Sequence, residues 1–210
     1  MSIGVSLQDV WKKYGDTTVL CGISADFEAG MIHGVMGRNG SGKTVLFKCI
    51  SGFSPVSSGA IHVFGRAVRS YSAQNIGLIL EEPGFLNAYS AYDNLRFLSC
   101  LRGKRSRDEL EAILDTVGLD PKSKKHVSAF SLGMRHRLAI AQAIVDRPPL
   151  LILDEPMNGL DRSGVKEISA VLRTLRESGT TILLSSHYIE DLKDLSDELW
   201  QMETGTLNRL

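Results

Sequence analysis

The 210-residue chain has no excess of charge of either sign: 24 Lys and Arg balance 24 Asp and Glu, and the formal net charge is zero. A nucleic acid as the main partner calls for a basic excess, so that class is set aside. Cysteine is scarce and odd in number, and Cys21, Cys49 and Cys100 are widely spaced. That pattern speaks against a disulfide framework and fits a reduced cytosolic setting. Cys49 lies in an apolar helical stretch and reads as small buried packing. No apolar run approaches the length of a membrane span, and the N-terminal residues lack the charged-then-apolar pattern of a leader. A soluble domain is expected, which leaves docking onto a membrane partner open. Internal repeats, low-complexity tracts and flexible linkers are also missing. What is present is 43% apolar residues, ample for the interior of one domain or of a core carrying one sizeable insertion.

Strand patterns occupy Ile3–Val10 and Val19–Phe27, with Tyr14-Gly15-Asp16 turning between them. Further strands are expected at Met31–Met36, Ala60–Phe64 and Ile76–Leu80. From Asn94 the period becomes helical: Leu110, Ile113, Leu114 and Val117 share one face, ending at Gly118, and Met134, Leu138, Ala141 and Val145 share another, ending at Pro148-Pro149. Strands return at Leu150–Leu153 and Thr180–Leu184, flanking a helix that carries Ile168, Val171, Leu172 and Leu175. A hairpin at Glu203-Thr204-Gly205-Thr206 follows. Strands, then helices, then β-α-β imply an α/β core of about 1–83 and 148–210, interrupted by a helical insertion at about 84–147.

The most informative stretch is Gly37-Arg38-Asn39-Gly40-Ser41-Gly42-Lys43-Thr44, set between the Met31–Met36 strand and a helix over Val45–Ile50. Glycines there let successive backbone N–H groups converge on one point, and the helix N-terminus adds partial positive charge. In that setting Lys43 reaches the β- and γ-phosphates of a nucleoside triphosphate and the Thr44 hydroxyl ligates Mg²⁺. The second stretch, Leu150-Leu151-Ile152-Leu153-Asp154-Glu155, is a buried parallel strand ending in two acids, at the strand end where ligands bind in such sheets. Asp154 is placed to hold the Mg²⁺, largely through water, and Glu155 to take a proton from water aligned on the γ-phosphate.

The third stretch, Phe130-Ser131-Leu132-Gly133-Met134, opens a helix and leads into Arg135-His136-Arg137. With it the chain resembles, essentially end to end, the ATP-binding subunit of an ABC transporter. The family's signature is Leu-Ser-Gly-Gly-Gln, so Ser131 and Gly133 match while Phe130, Leu132 and Met134 depart. A serine hydroxyl and N–H groups at a helix tip can still hold a γ-phosphate, although Ser131 also reads as a plain N-cap. The resemblance implies a P-loop NTPase fold with a RecA-like core sheet, an N-terminal antiparallel β-subdomain and an inserted α-helical subdomain. It implies ATP and Mg²⁺ as ligands, and two subunits clamping ATP head to tail, with Ser131 and Gly133 of one reaching nucleotide on the other. Asp161, in Met157-Asn158-Gly159-Leu160-Asp161, would align the opposing site, His187 would sense the γ-phosphate, Tyr14 would stack on adenine, and Thr18 joins the nucleotide-binding set. The strand Ile76-Gly77-Leu78-Ile79-Leu80 should lead into a glutamine that ligates Mg²⁺ and couples to the membrane partner; Glu81 stands there. A carboxylate remains a hard oxygen donor but lacks the amide's N–H. Glu81 and the Ser-Leu-Gly-Met signature are similar to the bacitracin and lantibiotic exporters of the ABC-2 type. The expectation is therefore an ATPase subunit on the cytoplasmic face of the membrane, paired as a homodimer or heterodimer and driving export through separate permease subunits. The surface around Pro83 to Ala91 would meet the permease. A regulatory or mechanical ATPase, and a nucleotide kinase using the same phosphate loop, remain as alternatives.

Overall fold

The computed structural model describes residues 2–69, 75–80, 84–103 and 105–210. Glu81, Glu82 and Pro83, and with them the expected metal-ligand role of Glu81, lie outside the described residues.

Two sheets organise the described residues. The first runs β2(Thr17–Glu28), β1(Ile3–Tyr14), β4(Ser58–Val63) and β5(Arg66–Ala67), all antiparallel. Val5, Leu7, Val10, Ile23 and Phe27 face inward from its long strands. β1 extends four residues past the expected Val10, to Tyr14, because its ladder with β2 continues to the Tyr14↔Thr17 pair. A bulge at Asp9 (φ +46°) makes that extension possible, and only glycine fits opposite it: a Cβ on Gly59 would lie 2.1 Å from the Asp9 carbonyl.

The second sheet has the order β10(Thr206–Arg209), β9(Glu198–Glu203), β3(Ile32–Met36), β8(Thr181–Ser186), β7(Leu150–Leu153) and β6(Ile76–Ile79). β9 through β6 are parallel and β10 is an antiparallel edge. The central strands β3, β8 and β7 are buried on both faces, as a sheet covered on both sides requires. In β7, Leu150 and Ile152 pack toward the antiparallel sheet and α1(Lys43–Ile50), while Leu151 and Leu153 pack toward the helices of the other face. Those helices are α2(Ala91–Arg102), α3(Arg107–Thr116), α4(Leu132–Ile144), α5(Arg162–Glu177) and α6(Ile189–Lys193). Leu138, Ala141 and Val145 of the expected stripe are buried there, with Met134 packed at the edge.

Helix starts follow local capping. Ser90 caps α2 by accepting from Asp93 N, so the helix begins at Ala91, and residues 84–90 form turns. Asn94 pins those turns, accepting from Leu86 N at 2.9 Å and donating to the Ser90 carbonyl at 2.9 Å. A Ser106–Glu109 capping box opens α3. The short α6 and the paired strands β9 and β10 add to the expected elements, of which only the hairpin tip was legible. Among the described residues no helix is long and apolar enough to cross a membrane.

Candidate active site

The parallel strands β3, β7 and β8 end side by side, and three loops meet there. The Gly37–Gly42 turn leaves β3 and enters α1. Gly37 N donates to the Ser186 carbonyl at the end of β8 (3.3 Å). A Cβ on Gly37 would lie 2.5 Å from the Met202 carbonyl, and Gly42 adopts φ +111°, so neither position accepts a larger residue without strain. The turn borders a cleft of about 270 Å³ lined by Val19, residues 38–45, Asp154 and Glu155.

Lys43, the first residue of α1, is buried. Its Nζ donates to the Gly37 carbonyl (2.6 Å) and the Arg38 carbonyl (3.3 Å). Glu155 Oε1 lies 3.2 Å from the same ammonium, an ion pair in which that buried oxygen accepts no hydrogen bond. The other oxygen, Oε2, is 2.9 Å from His187 Nδ1. The Glu155 carboxylate thus sits between the Lys43 ammonium and the His187 ring. Glu155 holds φ +52°, a left-handed conformation that costs a non-glycine residue about 1–3 kcal/mol.

Thr44 Oγ1 donates directly to Asp154 Oδ2. A hydroxyl and a carboxylate oxygen in contact are the hard donors that Mg²⁺ selects, so these residues fit that ion. Ser185 organises both acids and was missed by sequence reasoning. Fully buried in β8, its Oγ donates to Asp154 Oδ1 (2.5 Å) and accepts from Glu155 N (2.9 Å). The Ser185-Ser186-His187 run was the available signal, but it was attached to the histidine alone. A further link joins α4 to this site: His136 Nδ1 lies 2.6 Å from the Pro156 carbonyl, so that nitrogen carries the hydrogen.

The remaining expected residues lie apart from the cleft. Ser131 caps α4, accepting from Met134 N (3.3 Å), and Asp161 caps α5, accepting from Gly164 N (2.8 Å). The two loops touch within the chain, since a Cβ on Gly159 would sit 3.0 Å from Leu132 and one on Gly133 would sit 3.9 Å from Leu160. Gly133 itself is otherwise open. Tyr14 and the exposed Thr18 lie on the β1–β2 hairpin outside the lining of the phosphate cleft, which Val19 of the same hairpin joins.

The ABC transporter family profile matches residues 20–158. The bacitracin transport ATP-binding protein BcrA of Enterococcus faecalis is 39% identical over 213 residues, covering 99% of this chain and 68% of that protein. The lantibiotic transport ATP-binding protein SrtF of Streptococcus pyogenes is 36% identical, covering 92% of this chain and 84% of its own length. CbiO1 of Clostridium perfringens, part of the ABC transporter complex cbiONQ, superposes with a TM-score of 0.87 at 28% identity, covering 99% of this chain and 88% of that one. The fold is that of an ABC ATPase cassette, a P-loop NTPase, and the regulatory-ATPase and kinase alternatives give way. The chain belongs to the ABC transporter family as an ATP-binding, ATP-hydrolysing subunit.

Proposed function

We propose that this chain is the motor of an exporter: two cassettes close on ATP, hydrolysis reopens them, and permease subunits convert the cycle into movement of an antimicrobial peptide. Residues 1–210 act as one ATP-binding domain with a helical insertion at about 84–147. The observation that carries the reading is the continuous network Thr44–Asp154–Ser185–Glu155–His187, with Lys43 on Glu155, across the ends of three neighbouring strands. The backbone N–H groups of 37–44 and Lys43 bind the phosphates. Thr44 and Asp154, and Glu81 by its place in the sequence, would hold Mg²⁺, which supplies charge neutralisation at the phosphates when bound. Glu155 takes the proton of the attacking water, a role worth roughly 10²–10⁴ in rate. His187 holds that carboxylate in place and reports the loss of the γ-phosphate.

Ser131, Gly133 and Asp161 act on the nucleotide of a partner cassette, a homodimer or heterodimer in which each helix tip faces the other chain's cleft. Their position outside the phosphate cleft of their own chain supports this arrangement. The exposed Leu86 and Tyr89, just before α2, support docking of a permease segment near Pro83 to Ala91 on the cytoplasmic face. Relatives named for bacitracin and lantibiotic transport support the peptide cargo.

The test is Glu155→Gln. It should bind ATP with unchanged affinity, accumulate as an ATP-dependent dimer on size exclusion, and hydrolyse ATP about 10²–10⁴ times more slowly. Turnover equal to that of the wild type would remove Glu155 as the base.

A further inference from the structure

Lys12 is a buried lysine that the hydrolytic network does not use. Only 7% of it is exposed, and its ammonium donates to the Pro55 carbonyl at 2.6 Å. It also sits 4.6 Å from the centroid of the Tyr14 ring, a cation–π distance. Its charge is felt at the neighbouring buried thiol of Cys49. Tyr14 is held at its other end as well, its hydroxyl lying 3.2 Å from Ser54 Oγ. Yet 51% of the tyrosine is exposed, so about half of it remains free to meet a ligand.

The Pro55 carbonyl that holds Lys12 and the Ser54 hydroxyl that holds Tyr14 both belong to the loop that leaves α1, the helix whose first residues are Lys43 and Thr44. Ser54 N donates to the Lys48 carbonyl (3.0 Å), and Ser57 ties the loop to β1 through Ser57 N to the Trp11 carbonyl (2.7 Å) and Lys13 N to Ser57 Oγ (2.9 Å). The end of β1 is thereby fixed relative to the phosphate cradle at the start of α1. A nucleotide engaged at both base and phosphates needs that distance held constant.

We infer that Lys12 is a positioning residue for the base of the bound purine nucleotide: it supports one face of the Tyr14 ring and leaves the opposite face as the stacking surface. The inference rests on the proposed role of Tyr14 and adds what makes that ring a platform. A buried ammonium beneath the ring fixes its plane, so less freedom is lost when a purine stacks on it.

The test measures affinity of the full chain for two probes, MgATP and Mg-tripolyphosphate, which presents phosphates without a base. Lys12→Met keeps the aliphatic stem and removes the charge, and Lys12→Arg restores a cation. Lys12→Met should weaken MgATP about fivefold, because a ring no longer held by the ammonium must lose that freedom when the purine stacks, and should leave tripolyphosphate unchanged. KM for ATP should rise by the same factor with kcat unaltered. Lys12→Arg should recover most of the affinity, and Lys12→Met should add nothing in a Tyr14→Ala background. Equal weakening of both probes would mean that the lysine acts on the cradle or the fold, and unchanged MgATP affinity would mean that it does not act on the base; either overturns the inference while leaving Tyr14 in place. Wild-type MgATP affinity in Tyr14→Ala alone would remove the stacking role of the tyrosine and the inference with it.

Discussion

Replacing Ser185 by alanine isolates the element that aligns the two acids. The hydroxyl is fully buried and makes two hydrogen bonds, one donated to the Asp154 carboxylate at 2.5 Å and one accepted from Glu155 N at 2.9 Å. A hydrogen bond to a charged group contributes about 1.5–3 kcal/mol, and a partly buried N–H left without its acceptor costs about 1–3 kcal/mol. The two effects share one side chain and do not add fully, so a loss of about 2–4 kcal/mol in folding stability is expected. The catalytic consequence is separate. Glu155 holds a strained φ of +52°, and without the Ser185 acceptor its backbone can relax away from Lys43 and His187. ATP turnover should therefore fall by roughly tenfold or more, since a 1 Å misplacement of a catalytic group can cost about 10²-fold. Urea denaturation followed by circular dichroism reads the first effect, and phosphate release at saturating ATP reads the second. A stability change below about 0.5 kcal/mol together with wild-type turnover would refute the assignment of Ser185 as the organiser of both acids.

Gly37→Ala should weaken ATP binding severely, because the added methyl would lie 2.5 Å from the Met202 carbonyl and 2.7 Å from Ser41 Oγ; a calorimetric titration with wild-type affinity would contradict the tightness of this turn. Burial pushes the Cys49 thiol up from 9.0 to about 11, with nearby Lys12 and Ser54 opposing the shift. The folded chain thus holds the Cys49 proton more tightly than the unfolded chain. Stability from this group is whole below pH 9 and declines as the pH rises from 9 toward 11. Iodoacetamide at pH 8 should accordingly modify the exposed Cys100 first and Cys49 only on unfolding; early labelling of Cys49, followed by peptide mass spectrometry, would show that its burial is wrong.

The phosphate loop was legible in the sequence because its physics is local. A strand, glycines at the turn, Lys43 and Thr44 follow one another along the chain, so no distant contact had to be guessed. Asp154 and Glu155 were legible for a similar reason, as acids closing the four-residue apolar run Leu150–Leu153. What escaped depends on neighbours far apart in sequence. Ser185 follows Thr181–Leu184 as one more strand residue, and only the pairing of β8 with β7 sets its hydroxyl against the acids 30 and 31 residues earlier. Lys12 belongs to no motif, and only the fold brings Pro55 and Tyr14 over it. The left-handed backbone of Glu155 is invisible in its residue type, since glutamate has no preference for that conformation. Ser131 shows the opposite case: its N-cap geometry was expected and is present.

The central claim is that each ATP lies between the Lys43 loop of one cassette and the Ser131 helix tip of another. Mixing two inactive variants, Lys43→Ala and Ser131→Arg, tests it most directly. In a mixed dimer one site carries both lesions and the other carries none. Random pairing in equal amounts makes half of the dimers mixed, and the account predicts recovery to about one quarter of wild-type ATPase activity. A mixture as inactive as its components, with dimer formation verified by cross-linking, would place Lys43 and Ser131 at the same site of one chain and contradict the account.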